Sequence, residues 1–233
     1  MRVLVTRPEP GATATAARLR ERGHEPVALP LSRTVAIDDV ALPDGDFDAV
    51  VVTSANALRH APTEFGERFG DLRLFAVGDR TADVARQAGV EHVESANGDV
   101  RDLASLVTRK LPAGSRLLYL CGRRRRPELE AALRERGFTA VPLETYATEQ
   151  VDRSPEQLAV TIGEGPIDAV LLYSPFAAEL LNGIAGEPSV TAQFATVRLL
   201  CMSWQITDRL GPELRARAEI AAQADEESLF ALL

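Results

Sequence analysis

Three kinds of residue in this 233-residue chain could do chemistry on an acidic ligand. They are hydroxyl and amide residues placed after short apolar runs, arginines beside them, and three tyrosines. The clusters read Thr6-Arg7, Thr53-Ser54-Ala55-Asn56, Gly78-Asp79-Arg80-Thr81, Gly122-Arg123, Tyr173-Ser174 and Ser203. Small residues and hydroxyls let a ligand approach the backbone, and the unpaired amides of a helix start favour carboxylate or phosphate. The candidate ligand-binding residues are therefore Arg7, Thr53, Ser54, Ala55, Asn56, Gly78, Thr81, Arg123, Tyr173, Ser174 and Ser203. The plain alternative is that Ser, Thr and Asn cap helices. A ligand role would be added to capping rather than replace it.

Other chemistries lack their residues. No Walker loop and no GxGxxG is present, which argues against nucleotide cofactors. His24, His60 and His92 are isolated and read as surface residues, so neither a Ser/His/Asp set nor a metal site can be assembled from them. Cys121 and Cys201 lie in or at the end of apolar runs and read as buried free thiols of a reducing compartment. A net charge of −8 makes nucleic acid an unsuitable partner. The apolar runs Leu117–Cys121, Ala169–Tyr173 and Leu229–Leu233 are far short of the ~20 residues that span a bilayer. The start, MRVLVTRP, lacks the apolar core of a secretion signal, so no membrane contact and a cytoplasmic location are expected. Arg123–Arg126 opposes the dipole of the helix it precedes, which leaves two readings, a solvated helix start or a site for an anionic partner.

The elements that must position these residues come from a repeat. Arg2–Leu31 (RVLVTRPEPGATATAARLRERGHEPVALPL) is answered by Arg116–Tyr146 (RLLYLCGRRRRPELEAALRERGFTAVPLETY). Arg2 matches Arg116 and Gly23 matches Gly137 at one interval, since 116 − 2 and 137 − 23 are both 114. Asp46–His60 is echoed by Pro166–Leu180, and Asp71–Ala85, more faintly, by Thr196–Leu210. Three echoes in one order point to duplication of a half-chain. Each copy starts as strand, helix, Gly stop and strand: Val3–Val5, a helix over Ala12–Arg22, then Pro26–Leu29, and Arg116–Cys121, a helix over Pro127–Arg136, then Thr139–Leu143. Further strands are predicted at Asp48–Val52, Leu74–Val77, Val90–Val93, Ala169–Tyr173 and Val197–Met202. Helices are predicted from Ala55, over Ala82–Ala88, Asp99–Leu111, Ser154–Gly163 and Asp225–Leu233. This alternation predicts parallel sheets with helices on both faces. Leu31–Ile37 and Tyr146–Asp152 are extended polar passages at equivalent places, suited to be two crossings between domains.

The ordered blocks VLVTRP (Val3–Pro8), VVTSANA (Val51–Ala57), FAVGDRTA (Phe75–Ala82), GRRRRPELEAAL (Gly122–Leu133), ETYAT (Glu144–Thr148) and ADEESLFALL (Ala224–Leu233) resemble the uroporphyrinogen-III synthase family. The resemblance covers almost the whole chain. It implies two doubly wound, flavodoxin-like α/β domains joined by a two-stranded connector, with a cleft between them. Residues 1–35 with 152–233 would form one discontinuous domain, and 38–147 the other. It also implies an enzyme, a carbon–oxygen lyase. The substrate is hydroxymethylbilane, a linear tetrapyrrole polycarboxylate that closes to uroporphyrinogen III through azafulvene and spiro intermediates with loss of water. No metal or cofactor is implied, and the protein is expected as a monomer, with a transient contact to the enzyme supplying the bilane. By resemblance Tyr146 is the catalytic residue, a general acid, and Thr81 lies near the family's cleft. Read without the family, Tyr146 is a half-buried aromatic with a wet hydroxyl. One departure stands out. Where the family carries a Gly-Pro-Thr-Thr-Ala-like turn, this chain has Met202-Ser203-Trp204-Gln205-Ile206-Thr207, with a bulky indole where close backbone approach is expected. Two non-enzymatic alternatives are a module that only binds a tetrapyrrole or other polyanion, and a response-regulator-like interaction domain. The second lacks a clustered acidic phosphorylation pocket.

Overall fold

A computed structural model describes every residue except Arg126, so the last of the four arginines lies outside the described residues. The strands, in chain order, are β1 (Arg2–Val5), β2 (Glu25–Ala28), β3 (Ser32–Ala36), β4 (Ala49–Val52), β5 (Arg73–Ala76), β6 (Val93–Ser95), β7 (Arg116–Gly122), β8 (Thr139–Gln150), β9 (Ala169–Leu172), β10 (Arg198–Cys201) and β11 (Ala218–Ile220). They form two sheets, ordered β11-β10-β9-β1-β2 and β3-β8-β7-β4-β5-β6. The chain divides into unit 1, Met1–Arg33 with Glu149–Leu233, and unit 2, Thr34–Thr148. It passes between them along β3 and along β8.

In unit 1 the order, read from β2, is that of a doubly wound sheet, with β1 parallel to both β2 and β9 and β9 parallel to β10. Its central strands are apolar at nearly every position because both faces are covered. Leu4, Val170, Leu172 and Leu199 pack with Leu158, Ile162 and Leu181. Val3, Val5, Leu171 and Leu200 pack with Ala12, Leu19, Leu229 and Phe230. Unit 2 repeats the scheme. Val50, Val52, Leu118 and Leu120 face one core, and Ala49, Val51, Leu117, Tyr119 and Cys121 face the other.

Local chemistry sets the helix ends. Ser154 and Gln157 form a capping box around Pro155–Ile162, with Pro155 in the first turn, and Asp99 and Asp102 do the same for Val100–Lys110. Gly23 and Gly137 end the paired helices Gly11–Glu21 and Glu128–Glu135 at φ +76 and +82, a region where a side chain is strained.

Several expectations need correction. Thr139–Leu143 and the extended passage after it are one twelve-residue strand, β8. The strand expected at Val90–Val93 begins only at Val93, because Val90 donates its amide to Ala85 and closes the preceding helix. The closing helix is Glu226–Phe230, since Asp225 caps it, accepting from Ser228 at 2.7 Å. The helices Glu64–Phe69 and Pro212–Arg215 and the strand β11 are too short to leave a period.

The duplication is visible in bonds. Arg2 donates its amide to the Asp168 carboxylate at 2.6 Å, and the Asp168 amide returns to the Arg2 carbonyl at 2.9 Å. Arg116 and Asp48 make the same exchange at 2.7 and 2.9 Å. Both guanidinium groups then reach carbonyls in the turn before the partner strand, Arg2 to Gly165 at 2.8 Å and Arg116 to Asp44 and Asp46 at 3.1 Å each. Residues 51–60 and 171–180 also share one pattern of buried and half-buried positions.

A carboxylate that accepts a strand's first amide is a charge-assisted bond. Asp168→Ala is expected to lower stability by about 1.5–3 kcal/mol in denaturant unfolding. Asp168 is half-buried and Asp48 exposed, so Asp48→Ala is expected to cost less, about 1 kcal/mol.

Candidate functional site

In unit 2 the chemistry-bearing residues gather at the carboxyl ends of three neighbouring strands, β7, β4 and β5, and beside them on β8. After β4, Ser54 caps the helix Ala55–Arg59 and accepts from the Asn56 amide at 3.2 Å. Ala55 is the first residue of that helix. Thr53 shares a 3.2 Å hydrogen bond with the Tyr119 hydroxyl. Burial pushes that phenol up to about 12, only partly offset by the bond to Thr53. Asn56 reaches Thr34 at 3.5 Å and accepts from Arg59 at 3.1 Å. After β5, Gly78 caps Asp79–Gln87 in an extended conformation, and a Cβ there would meet nothing within 4 Å. Thr81 lies buried in the first turn, its amide on the Gly78 carbonyl at 3.0 Å.

The arginines after β7 divide. Arg123 is exposed, with Nε 3.7 Å from Glu144. Arg125 is half-buried and tied to Glu144 at 2.7 Å and to Glu130 at 3.3 Å. Burial alone would favour its neutral form, but these carboxylates outweigh it and hold the charge on. Arg125 therefore neutralises two acids of its own unit, while Arg123 is presented to solvent.

Tyr146 sits within β8, not at its end. Beside it β8 carries a bulge. Cys121 pairs with Glu144, but Gly122 pairs with Tyr146, so Thr145 has no opposite residue. Thr145 is buried and donates to the Ala57 carbonyl at 2.8 Å. The skipped residue keeps Leu143 and Tyr146 on the same face. The Tyr146 ring lies over Gly122, and the His60 ring is 6.3 Å from it, tilted by 37°. Sequence reasoning makes His60 an isolated surface residue. Only the pairing across the bulge places it beside the tyrosine.

In unit 1 the corresponding strand ends hold Arg7, Tyr173, Ser174 and Ser203. Ser174 caps Pro175–Ala185, accepting from Ala177 at 3.2 Å. Ser203 precedes Trp204–Thr207, and Trp204 is 60% exposed. Arg7 and Tyr173 are engaged by an acid that sequence reasoning leaves unassigned. Glu226 Oε1 accepts from Arg7 at 3.0 Å, Thr15 at 2.5 Å and the Tyr173 hydroxyl at 2.7 Å, while Oε2 accepts from Arg18. The Arg7 guanidinium also lies 4.4 Å from the Tyr173 ring centre. Burial raises the Glu226 carboxyl, but the bonds from Thr15 and Tyr173 and the charges of Arg18 and Arg7 outweigh it and hold it below the usual range. Burial pushes the Tyr173 phenol well up. Arg7 is thus internally neutralised, and Tyr173 has its proton committed to Glu226. The only sequence signal is an acidic pair opening the last helix.

A cavity of about 730 Å³ in unit 1 lies away from these residues, at the amino ends of β10 and β11, lined by Asn182, Phe194, Glu213 and Arg217 among others. Arg217 there is taken up by the carbonyls of Phe194 at 2.7 Å and Ala195 at 2.9 Å. Cys121 and Cys201 are buried free thiols, each pushed up to about 12, chiefly by burial. Among the described residues no group of His, Cys, Asp and Glu could hold a metal ion, and no helix is long and apolar enough to cross a membrane.

The family model described as Uroporphyrinogen-III synthase HemD matches residues 13–231. Among solved structures the chain is similar to a uroporphyrinogen-III synthetase from Helicobacter pylori 26695, at 14% identity and TM-score 0.69, over 100% of this chain and 98% of that one. It is also similar to a mutant uroporphyrinogen III synthase from the extremely thermophilic bacterium Thermus thermophilus, at 20% identity and TM-score 0.58, over 100% and 96%. At these identities the likeness is one of fold. No curated protein matches.

The Glu226 network has a pH signature. A carboxyl held below its ordinary value near 4.5 contributes stability that is complete above that value and is lost as pH falls through its folded one. Glu226→Gln is expected to be less stable than the parent by about 1.5–3 kcal/mol at pH 7, with the gap narrowing below pH about 4. Denaturant unfolding of both proteins across that range checks it.

Proposed function

Because the chain belongs to the uroporphyrinogen-III synthase family, we propose that it closes hydroxymethylbilane to uroporphyrinogen III, inverting the terminal pyrrole ring, as a carbon–oxygen lyase. The family match across residues 13–231 carries this reading. The arrangement at the strand ends supports it. In unit 2 the helix starts at Ala55 and at Asp79–Arg80 suit the carboxylates of a flexible linear tetrapyrrole. Holding such a chain end to end is mainly a matter of proximity and orientation.

In the proposed reaction the terminal C–O bond breaks as Tyr146 delivers a proton, so that hydroxide leaves as water and an azafulvene in its cationic, N-protonated form remains. The far pyrrole attacks that methylene through its substituted carbon, forming a C–C bond and the spiro intermediate. The older bond at that carbon then breaks, the ring turns over, and closure at its free carbon releases a proton that restores the phenol. The sum is loss of one water. Arg123 and the amide groups bind substrate in this reading. Arg7 and Tyr173 act on it only through or around Glu226. We take the protein as a cytoplasmic monomer that receives the bilane from the enzyme that makes it.

The second reading, binding without catalysis, draws on Trp204, whose exposed indole stands where the family has a small-residue turn. Incubation of the pure protein with enzymatically made hydroxymethylbilane, followed by separation of the isomers, decides between them. Isomer III is expected. Isomer I alone, with tight product binding, would leave the binding module. Tyr146→Phe is expected to lower kcat at least ~10-fold with the fold intact. Thr81→Ala and Arg7→Ala are expected to act more weakly, and Arg7→Ala to lose stability as well, since it strips Glu226 of a partner.

A further inference from the structure

Resting on the reading of Tyr146 as the proton donor, the geometry points to Gly122 and His60 as the residues that aim its hydroxyl. A Cβ on Gly122 would fall 2.6 Å from Tyr146 Cζ, 2.8 Å from Cε2 and 3.0 Å from Cε1. These are the atoms at and beside the carbon that bears the hydroxyl, so the reactive end of the ring rests on the Gly122 backbone. Gly122 does not have the positive φ that would by itself favour glycine, as Gly23 and Gly137 do. The missing side chain is therefore explained by the ring above it.

Two further constraints act on the same ring. The bulge at Thr145 puts Tyr146 opposite Gly122. The Tyr146 carbonyl accepts from the Arg123 amide at 2.9 Å, fixing the backbone on both sides of the contact. Thr145, through its bond to Ala57, ties that bulge to the helix Ala55–Arg59, whose following residue is His60. The imidazole stands alongside the phenol as a wall. Floor, wall and bulge limit where the phenol can sit, and a general acid displaced by about 1 Å loses much of its effect.

A double-mutant cycle tests this. Gly122→Ala is expected to lower kcat about 10- to 100-fold with little change in KM, because substrate binding rests on other groups. In a Tyr146→Phe background the same change should cost almost nothing further, since no hydroxyl remains to be misdirected. His60→Ala should behave likewise, and His60→Phe should restore most of the rate by restoring the wall. Equal losses of kcat with and without the Tyr146 hydroxyl would overturn this proposal and leave the role of Tyr146 standing. Full turnover by Tyr146→Phe alone would remove both. If Gly122→Ala does not fold, the His60 and Tyr146 variants decide by the same comparison.

Discussion

At the amino end of the central strand pair in each unit, an aspartate takes the first amide of its neighbour and gives its own amide back. Asp168 with Arg2, and Asp48 with Arg116, close these exchanges at the point where two parallel strands begin. Parallel strands have no tight turn to set their alignment, so a bond at the start fixes where every later residue pairs. The far ends then finish level. Val5 and Leu171 in unit 1, and Val52 and Leu120 in unit 2, are the last partners of their ladders, and the polar residues follow closely after them. The helix starts that follow these strands are gathered because the strands were started together.

The two units are assembled by exchange. The first half of the duplication supplies β1 and β2 to unit 1 and β4–β6 to unit 2; the second supplies β7 and β8 to unit 2 and β9–β11 to unit 1. Read as opening pair plus closing three, both sheets have one strand order, and β3 adds a further edge strand beside β8. The corresponding sites have nonetheless diverged. Unit 2 carries a tyrosine over a glycine beside its arginine run, whereas unit 1 commits its arginine and tyrosine to Glu226.

What was legible in the sequence was local or repeated. The apolar runs, the Ser154 and Asp99 caps and the stops at Gly23 and Gly137 each depend on neighbours within a few residues. Parallel strands buried on both faces follow from those runs. The candidate site was legible only as residue types at strand ends, and there it stopped. That Arg7 is neutralised depends on an acid 219 residues away, and that His60 flanks Tyr146 depends on one unpaired residue in β8. A bulge leaves no trace in periodicity, and an ion pair between distant segments leaves none in spacing.

The exchange also sets an order of events during synthesis. Unit 2 is one unbroken stretch, Thr34–Thr148, and holds all its strands once that stretch has left the ribosome. β1 has only β2 beside it until β9 at Ala169–Leu172 is made, a wait on the order of ten seconds at ordinary elongation rates. By the end of that interval an apolar fragment of two strands and a helix, with an open edge and both faces of its sheet unfinished, hangs from a completed neighbour. The nascent chain most needs a chaperone at β1 and β2, after the stretch that follows them has folded.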